Sequence, residues 1–178
     1  MDWRGDPLPG EFAAKVWGSN PNFIQGNRHF FMASKLHHNK RLWQKHVLAE
    51  NRRDIPGLLA TLVDDPLYML IATGQEYRGQ TGVASFYQGL FDGLPDATFD
   101  LKTVTIGEEM VVEESVFRGT HNGVFFGVPA TGKFVTFPLI IMFPVVGDRF
   151  YGERMYFDWN TLLMHMGLAT ALPFSQPQ

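Results

Sequence analysis

From Ala97 to Asp158 the chain alternates between two kinds of side chain with a period of two, broken only by short turn signals, and this run most limits what it can fold into. Period two sends successive side chains to opposite faces of a strand. The breaks, at Gly107, Asn122-Gly123, Thr131-Gly132 and Gly147-Asp148, have tight-turn chemistry. Strands are therefore predicted at 98–105, 109–121, 123–127, 133–146 and 149–158, joined as an antiparallel meander. A meander that long must cover one face.

The residues ahead of it supply the cover. Leu36 to Glu50 has helical spacing, with Leu42, Trp43, Val47 and Leu48 near one face and Lys40, Arg41, Lys45 and Glu50 elsewhere. Asn51 to Val63 predicts a second helix, capped by Asp54 with Pro56 in its first turn and stopped by Asp64-Asp65-Pro66. A short strand follows at Leu67 to Ile71. A third helix is predicted from Gln80 to Leu90, with Val83, Phe86, Tyr87 and Leu90 inward, and a last one from Thr161 to Leu168. Helices followed by a meander make an α+β fold, in which a curved sheet with helices over its concave face encloses a pocket. Residues 1–35 read as an arm in which Trp3, Phe12, Trp17, Phe23, Phe30 and Phe31 alternate with Pro and Gly; 36–170 form the domain and 171–178 a tail.

Composition narrows the function. The 178 residues are 45% hydrophobic and 19% charged with a net charge of −3, which fits a globular domain with no basic excess to bind nucleic acid or an anionic membrane. Cysteine is absent, which excludes disulfides, Cys-ligated metal and thiol nucleophiles. No signal peptide or membrane-spanning run is visible, so a cytoplasmic location is expected. Aromatic residues reach 14%, with sixteen Phe, and rings in that number fill cores or line apolar cavities.

Gly127 to Lys133 spells G-x-x-x-x-G-K, but Phe134 stands where a phosphate loop needs a hydroxyl and a strand follows instead of a helix. The histidines show no metal-ligand spacing; His38 and His46, eight apart, are read as surface residues. No G-x-S-x-G occurs. The segment Gly152 to Asp158 is more informative. On a strand, Arg154, Tyr156 and Asp158 share one face and Glu153, Met155 and Phe157 the other. On a concave wall the first set would serve as catalytic acid/base machinery: Asp158 moving a proton, Tyr156 donating to an oxyanion, Arg154 stabilising charge. Equally, Asp158 could be the N-cap of the last helix and Arg154 half of a surface pair. Glu113 and Glu114 place one carboxylate on each face, and His121 ends a strand near the expected pocket mouth. Tyr68, Tyr87, Glu114 and His121 form the candidate substrate-binding set.

Together these segments resemble the SnoaL-like polyketide cyclase and ester cyclase group of the nuclear transport factor 2-like superfamily, over about residues 40–169. The resemblance is carried by Tyr77-Arg78-Gly79, Leu94-Pro95-Asp96, Arg118 to Gly123, Gly127 to Lys133, Gly152 to Asp158 and Leu162 to Leu168. It implies a cone-shaped α+β barrel: a curved, mixed, mainly antiparallel sheet wrapped around three to four helices and enclosing one apolar pocket, usually in a homodimer. Ketosteroid isomerase, scytalone dehydratase and limonene epoxide hydrolase share that fold. The resemblance also implies acid/base chemistry without a cofactor, on a small hydrophobic carbonyl compound, with an aspartate late in the final long strand as the base. Asp158 matches that position. Cyclisation, isomerisation and dehydration all fit; a non-catalytic carrier of a hydrophobic ligand and a dimeric interaction module are the alternatives.

Overall fold

The computed structural model describes residues 25–169, with side chains from residue 34 onward. The expected arm, apart from its last residues, and the tail lie outside the described residues. Residues from Lys35 belong to one compact unit.

The elements are α1 (Gln25–Asn51), α2 (Ile55–Leu59), β1 (Leu62–Leu70), β2 (Gln75–Arg78), α3 (Gly79–Gly93), β3 (Thr98–Ile106), β4 (Met110–Thr120), β5 (Phe134–Val146), β6 (Arg149–Phe157) and α4 (Trp159–Met166). The six strands form one mixed sheet in the order β2-β1-β6-β5-β4-β3, antiparallel except where β1 runs parallel to β6. The fold is the expected α+β arrangement. The sheet curves but stays open, with β2 and β3 as its outermost strands among the described residues.

Pairing sets which side chains face the helices. Glu113 lies opposite Ile141, Ser115 opposite Leu139 and Phe117 opposite Phe137 between β4 and β5. Ile141 pairs with Met155 and Leu139 with Phe157 between β5 and β6, and Tyr68 pairs with Glu153 between β1 and β6. Neighbours in register share a face, so these residues form one continuous inner surface. Tyr68, Tyr87, Phe143, Phe150 and Leu62 beneath it are essentially fully buried.

Several boundaries differ from the sequence reading, each for a local reason. Asp54 does cap α2, its carboxylate accepting from the Gly57 amide at 3.0 Å, with Pro56 in the first turn. The helix then stops at Leu59, and β1 already runs through Asp64-Asp65-Pro66. Pro66 is tolerated because the β1–β6 ladder is irregular between Leu62 and Leu67, so no amide is missed there. The expected strand at 123–127 does not form. The amides of Asn122 and Gly123 both turn to the Gly93 carbonyl at 3.0 Å, which takes the chain off the sheet. Phe125 and Val128 then bond only each other, around Phe126 and Gly127 with positive φ. The short strand β2 was not anticipated.

At one glycine the backbone requires the absence of a side chain. Gly152 has φ +148°, and a Cβ there would overlap the carbonyl oxygen of Leu67 on β1. The close approach sits beside the β1–β6 irregularity and one residue before Glu153.

Candidate active site

One face of α1 presents Asn39, Trp43, His46 and Glu50, spaced as neighbours along a helix, and all four are buried. Each of the first three is tied to another element. Asn39 Nδ2 donates to the carbonyls of Gly107 and Glu108 in the β3–β4 turn, at 2.7 and 3.0 Å. Trp43 Nε1 donates to Glu113 Oε2 at 2.8 Å, and Ser115 Oγ donates to the other oxygen of that carboxylate. His46 Nε2 lies 2.8 Å from Glu153 Oε1, and its Nδ1 lies 2.6 Å from Thr61 Oγ1. Glu153 Oε1 also accepts from the Tyr87 hydroxyl at 2.9 Å, and the Tyr68 and Tyr87 hydroxyls are 3.3 Å apart. The edges of Phe143 and Phe150 pack on the imidazole.

This network borders a narrow apolar pocket with about 40 Å³ of internal space. Its wall is Phe86, Phe99, Phe117, Phe125, Phe126, Phe137 and Phe157 with Leu70, Leu90, Leu139, Ile141 and Met155; the polar side chains in it are Glu50 and Glu153. Burial raises the Glu50 pKa well above the usual carboxyl range, and the charges of Glu153 and Glu113 push it further. Glu50 therefore holds its proton more firmly than an ordinary carboxyl. Burial, then the charge of Glu153, likewise raises Tyr68 and Tyr87, which stay neutral hydroxyl donors.

The raised Glu50 pKa ties stability to pH. A folded chain that keeps a proton the unfolded chain releases loses stability as pH rises from the ordinary value of 4.5 toward the folded pKa. Glu50→Gln is neutral throughout. Its melting temperature should match the wild type in acid and exceed it by a growing margin above about pH 5. Thermal melts across pH check this; a margin that stays constant would mean that Glu50 ionises normally.

The sequence-derived site residues divide. Tyr68 and Tyr87, expected to bind substrate, come together beside His46 and Glu153 and do not themselves line the pocket. Arg154, Tyr156 and Asp158 do not line the pocket; this is a correction, since the inner face of β6 is the alternate one, Glu153, Met155 and Phe157. Tyr156 is 39% exposed. Asp158 is the exposed N-cap of α4, accepting from the Asn160 amide at 2.9 Å and the Thr161 hydroxyl at 2.6 Å, and the Thr161 bond leads in lowering its pKa. Glu114 is exposed on the outer face, and it is Glu113 that points inward. His121 is fully buried, its Nδ1 3.0 Å from Thr131 Oγ1, and it does not line the pocket, although Phe125 beside it does.

The structure adds His46, Glu50, Thr61 and Glu153 to the residues the sequence singles out. His46 was read as a surface residue and is fully buried; Leu48, placed on the apolar face, is 49% exposed. The signal was present: Asn39, Trp43, His46 and Glu50 recur at spacings of four, three and four. The apolar residues of the helix alone point to a different face. Among the described residues no cluster of His, Asp and Glu is arranged to hold a metal ion.

An open, curved mixed sheet packed with helices is the arrangement of the α+β class of nuclear transport factor 2-like and ketosteroid isomerase-like folds. Within that class the SnoaL-like polyketide cyclase family model matches residues 40–165, and the chain belongs to that family. Solved structures agree on the fold. AclR of Streptomyces galilaeus, assigned as a hydroxylase, is 23% identical with a TM-score of 0.65, over 80% of this chain and 90% of that one. A Xanthomonas campestris protein assigned as a polyketide cyclase is also 23% identical, with a TM-score of 0.67 over 74% and 98%. A Catenulispora acidiphila protein with a ketosteroid isomerase-like fold is 14% identical, with a TM-score of 0.61 over 72% and 93%. Identities this low establish shared fold only. No curated protein matches the sequence.

Proposed function

We propose that this protein is an acid/base enzyme of cyclase, isomerase or dehydratase type, working without a cofactor on an uncharged hydrophobic carbonyl compound. One observation supports this above the others: the polar side chains in a wall of Phe, Leu, Ile and Met are two buried carboxyls, Glu50 and Glu153. Glu50, held protonated, gives its proton to the carbonyl oxygen. Glu153, backed by His46 and Tyr87, takes a proton from the adjacent carbon. Two carboxyls in one cavity, one of them pushed by burial to hold its proton more firmly, fit a pairing of acid and base. Among the described residues the wall carries no Lys or Arg, which disfavours anionic substrates. A cytoplasmic homodimer belongs to the same reading, with the exposed Ile140 and its cross-strand partner Tyr156 on the outer sheet face as candidate contact residues.

The test is turnover and binding on a panel of polycyclic ketones and esters, with the corresponding carboxylic acids as controls. Turnover of the neutral compounds and rejection of the acids is the expected result. Binding of the same compounds without turnover would make the protein a carrier. Within the panel, Asp158→Ala should lower the melting temperature, as loss of a helix cap does, and leave turnover unchanged. Lost turnover with an unchanged melting temperature would restore Asp158 as the base.

A further inference from the structure

We infer that Thr61 fixes which nitrogen of His46 carries its permanent proton, leaving the exchangeable proton of the cluster on the Nε2 side, between His46 and the pocket-lining Glu153. The role in catalysis rests on the function proposed above; the proton placement rests only on the contacts that follow.

Thr61 Oγ1 lies 2.6 Å from the Leu58 carbonyl oxygen and 2.6 Å from His46 Nδ1. Two oxygens that close need a proton between them, and a carbonyl has none to offer. The single hydroxyl proton of Thr61 is therefore committed to Leu58. What Thr61 turns toward the imidazole is a lone pair, so Nδ1 must bring the hydrogen. All of this is buried, with His46 fully so and Thr61 5% exposed, and no solvent competes.

On the other side of the ring, Nε2 is 2.8 Å from Glu153 Oε1, while the Tyr87 and Tyr68 hydroxyls stand farther off at 3.4 and 3.5 Å. With Nδ1 already protonated, the short Nε2–Oε1 contact holds one proton. It is either an imidazolium facing a carboxylate or a neutral imidazole facing a carboxylic acid. Both states keep hydrogen on Nδ1, and they differ only in which atom of the Nε2–Oε1 pair owns the shared proton. The titratable groups around the ring are Glu153 from β6, Tyr68 from β1, Tyr87 from α3 and, one turn along α1, Glu50; none of them contacts Nδ1. The hydrogen bond made by one ring nitrogen decides the state of the other, and here that bond comes from α2 and its following turn, outside the pocket. Thr61 is a positioning residue.

The experiment is long-range ¹⁵N–¹H correlation of the imidazoles in the full ¹⁵N-labelled chain across pH, without substrate, with His46→Asn identifying the resonances. The expected result is a pyrrole-type Nδ1 of His46 at every pH at which the chain is folded, in wild type and in Thr61→Ser, which keeps the hydroxyl. In Thr61→Val the neutral ring should pass wholly or partly to the Nε2–H form, with a pyridine-type Nδ1. A pyridine-type Nδ1 in the wild type overturns the inference, and so does a Thr61→Val spectrum identical to wild type. Should Thr61→Val not fold, the wild type and Thr61→Ser decide. Since no substrate is involved, failure here is distinct from failure of the proposed function. A pyrrole-type Nδ1 in a protein that turns nothing over refutes only the latter, and an active enzyme with a bare Nδ1 refutes only the former.

Discussion

Glu153→Gln should abolish most turnover while leaving the pocket intact. The carboxamide keeps the shape of the side chain, and at the position of Oε1 it can either accept from the Tyr87 hydroxyl or donate to His46 Nε2, so the volume of the site is kept while one of these two contacts is lost. What disappears is a base beside the apolar wall. General acid–base groups contribute about 10²- to 10⁴-fold, and a loss in turnover of that order is expected, with ligand affinity close to that of wild type. The measurement is kcat on the best neutral substrate of the panel, alongside its Kd. Wild-type kcat in Glu153→Gln would remove Glu153 from the mechanism and leave the pocket to binding alone.

Gly152→Ala should have the largest effect on stability, and it should disturb the site indirectly. An added Cβ has nowhere to go, because the obstacle is the Leu67 carbonyl of a paired strand and not a movable side-chain tip. Backbone conformations open only to glycine cost about 1–3 kcal/mol when another residue is forced into them, and the overlap adds to that, so about 2–4 kcal/mol is expected. Relief requires β1 and β6 to part where Tyr68 pairs with Glu153. Denaturant unfolding checks the first part; a change below about 0.5 kcal/mol, the range of ordinary surface substitutions, would show that the strands yield easily.

The sequence carried the framework further than it carried the site. Turn residues and period-two alternation placed β3 to β6 within a residue or two, since each boundary is set locally. Which face of β6 lies inward is not a local property. Both faces carry apolar residues, and the polar trio Arg154, Tyr156 and Asp158 marks the solvent side, whereas Glu153, between Gly152 and Arg154, gains apolar surroundings only after the sheet is assembled. The register with β5 and β1 decides it. His46 escaped for a related reason: a lone histidine on a charged helix has no partner in its own segment, and its partners come from β6 and from the turn after α2. Asp54 and Asp158, by contrast, act as caps through residues two or three positions away, and both cap roles were readable.

The stripe of Asn39, Trp43 and His46 on α1 bears on how this chain can change over time. Apolar contacts tolerate substitution one residue at a time, because a neighbouring methyl group fills in. A buried donor matched to one buried acceptor has no such slack. Trp43 and Glu113, and His46 and Glu153, should therefore be replaced in pairs when they are replaced at all, linking positions about seventy and about a hundred residues apart in the chain. Correlated exchange at 43 with 113 and at 46 with 153 among descendants of this sequence would mark the family branch that kept this buried network, and its loss would mark a branch whose pocket had taken up other chemistry.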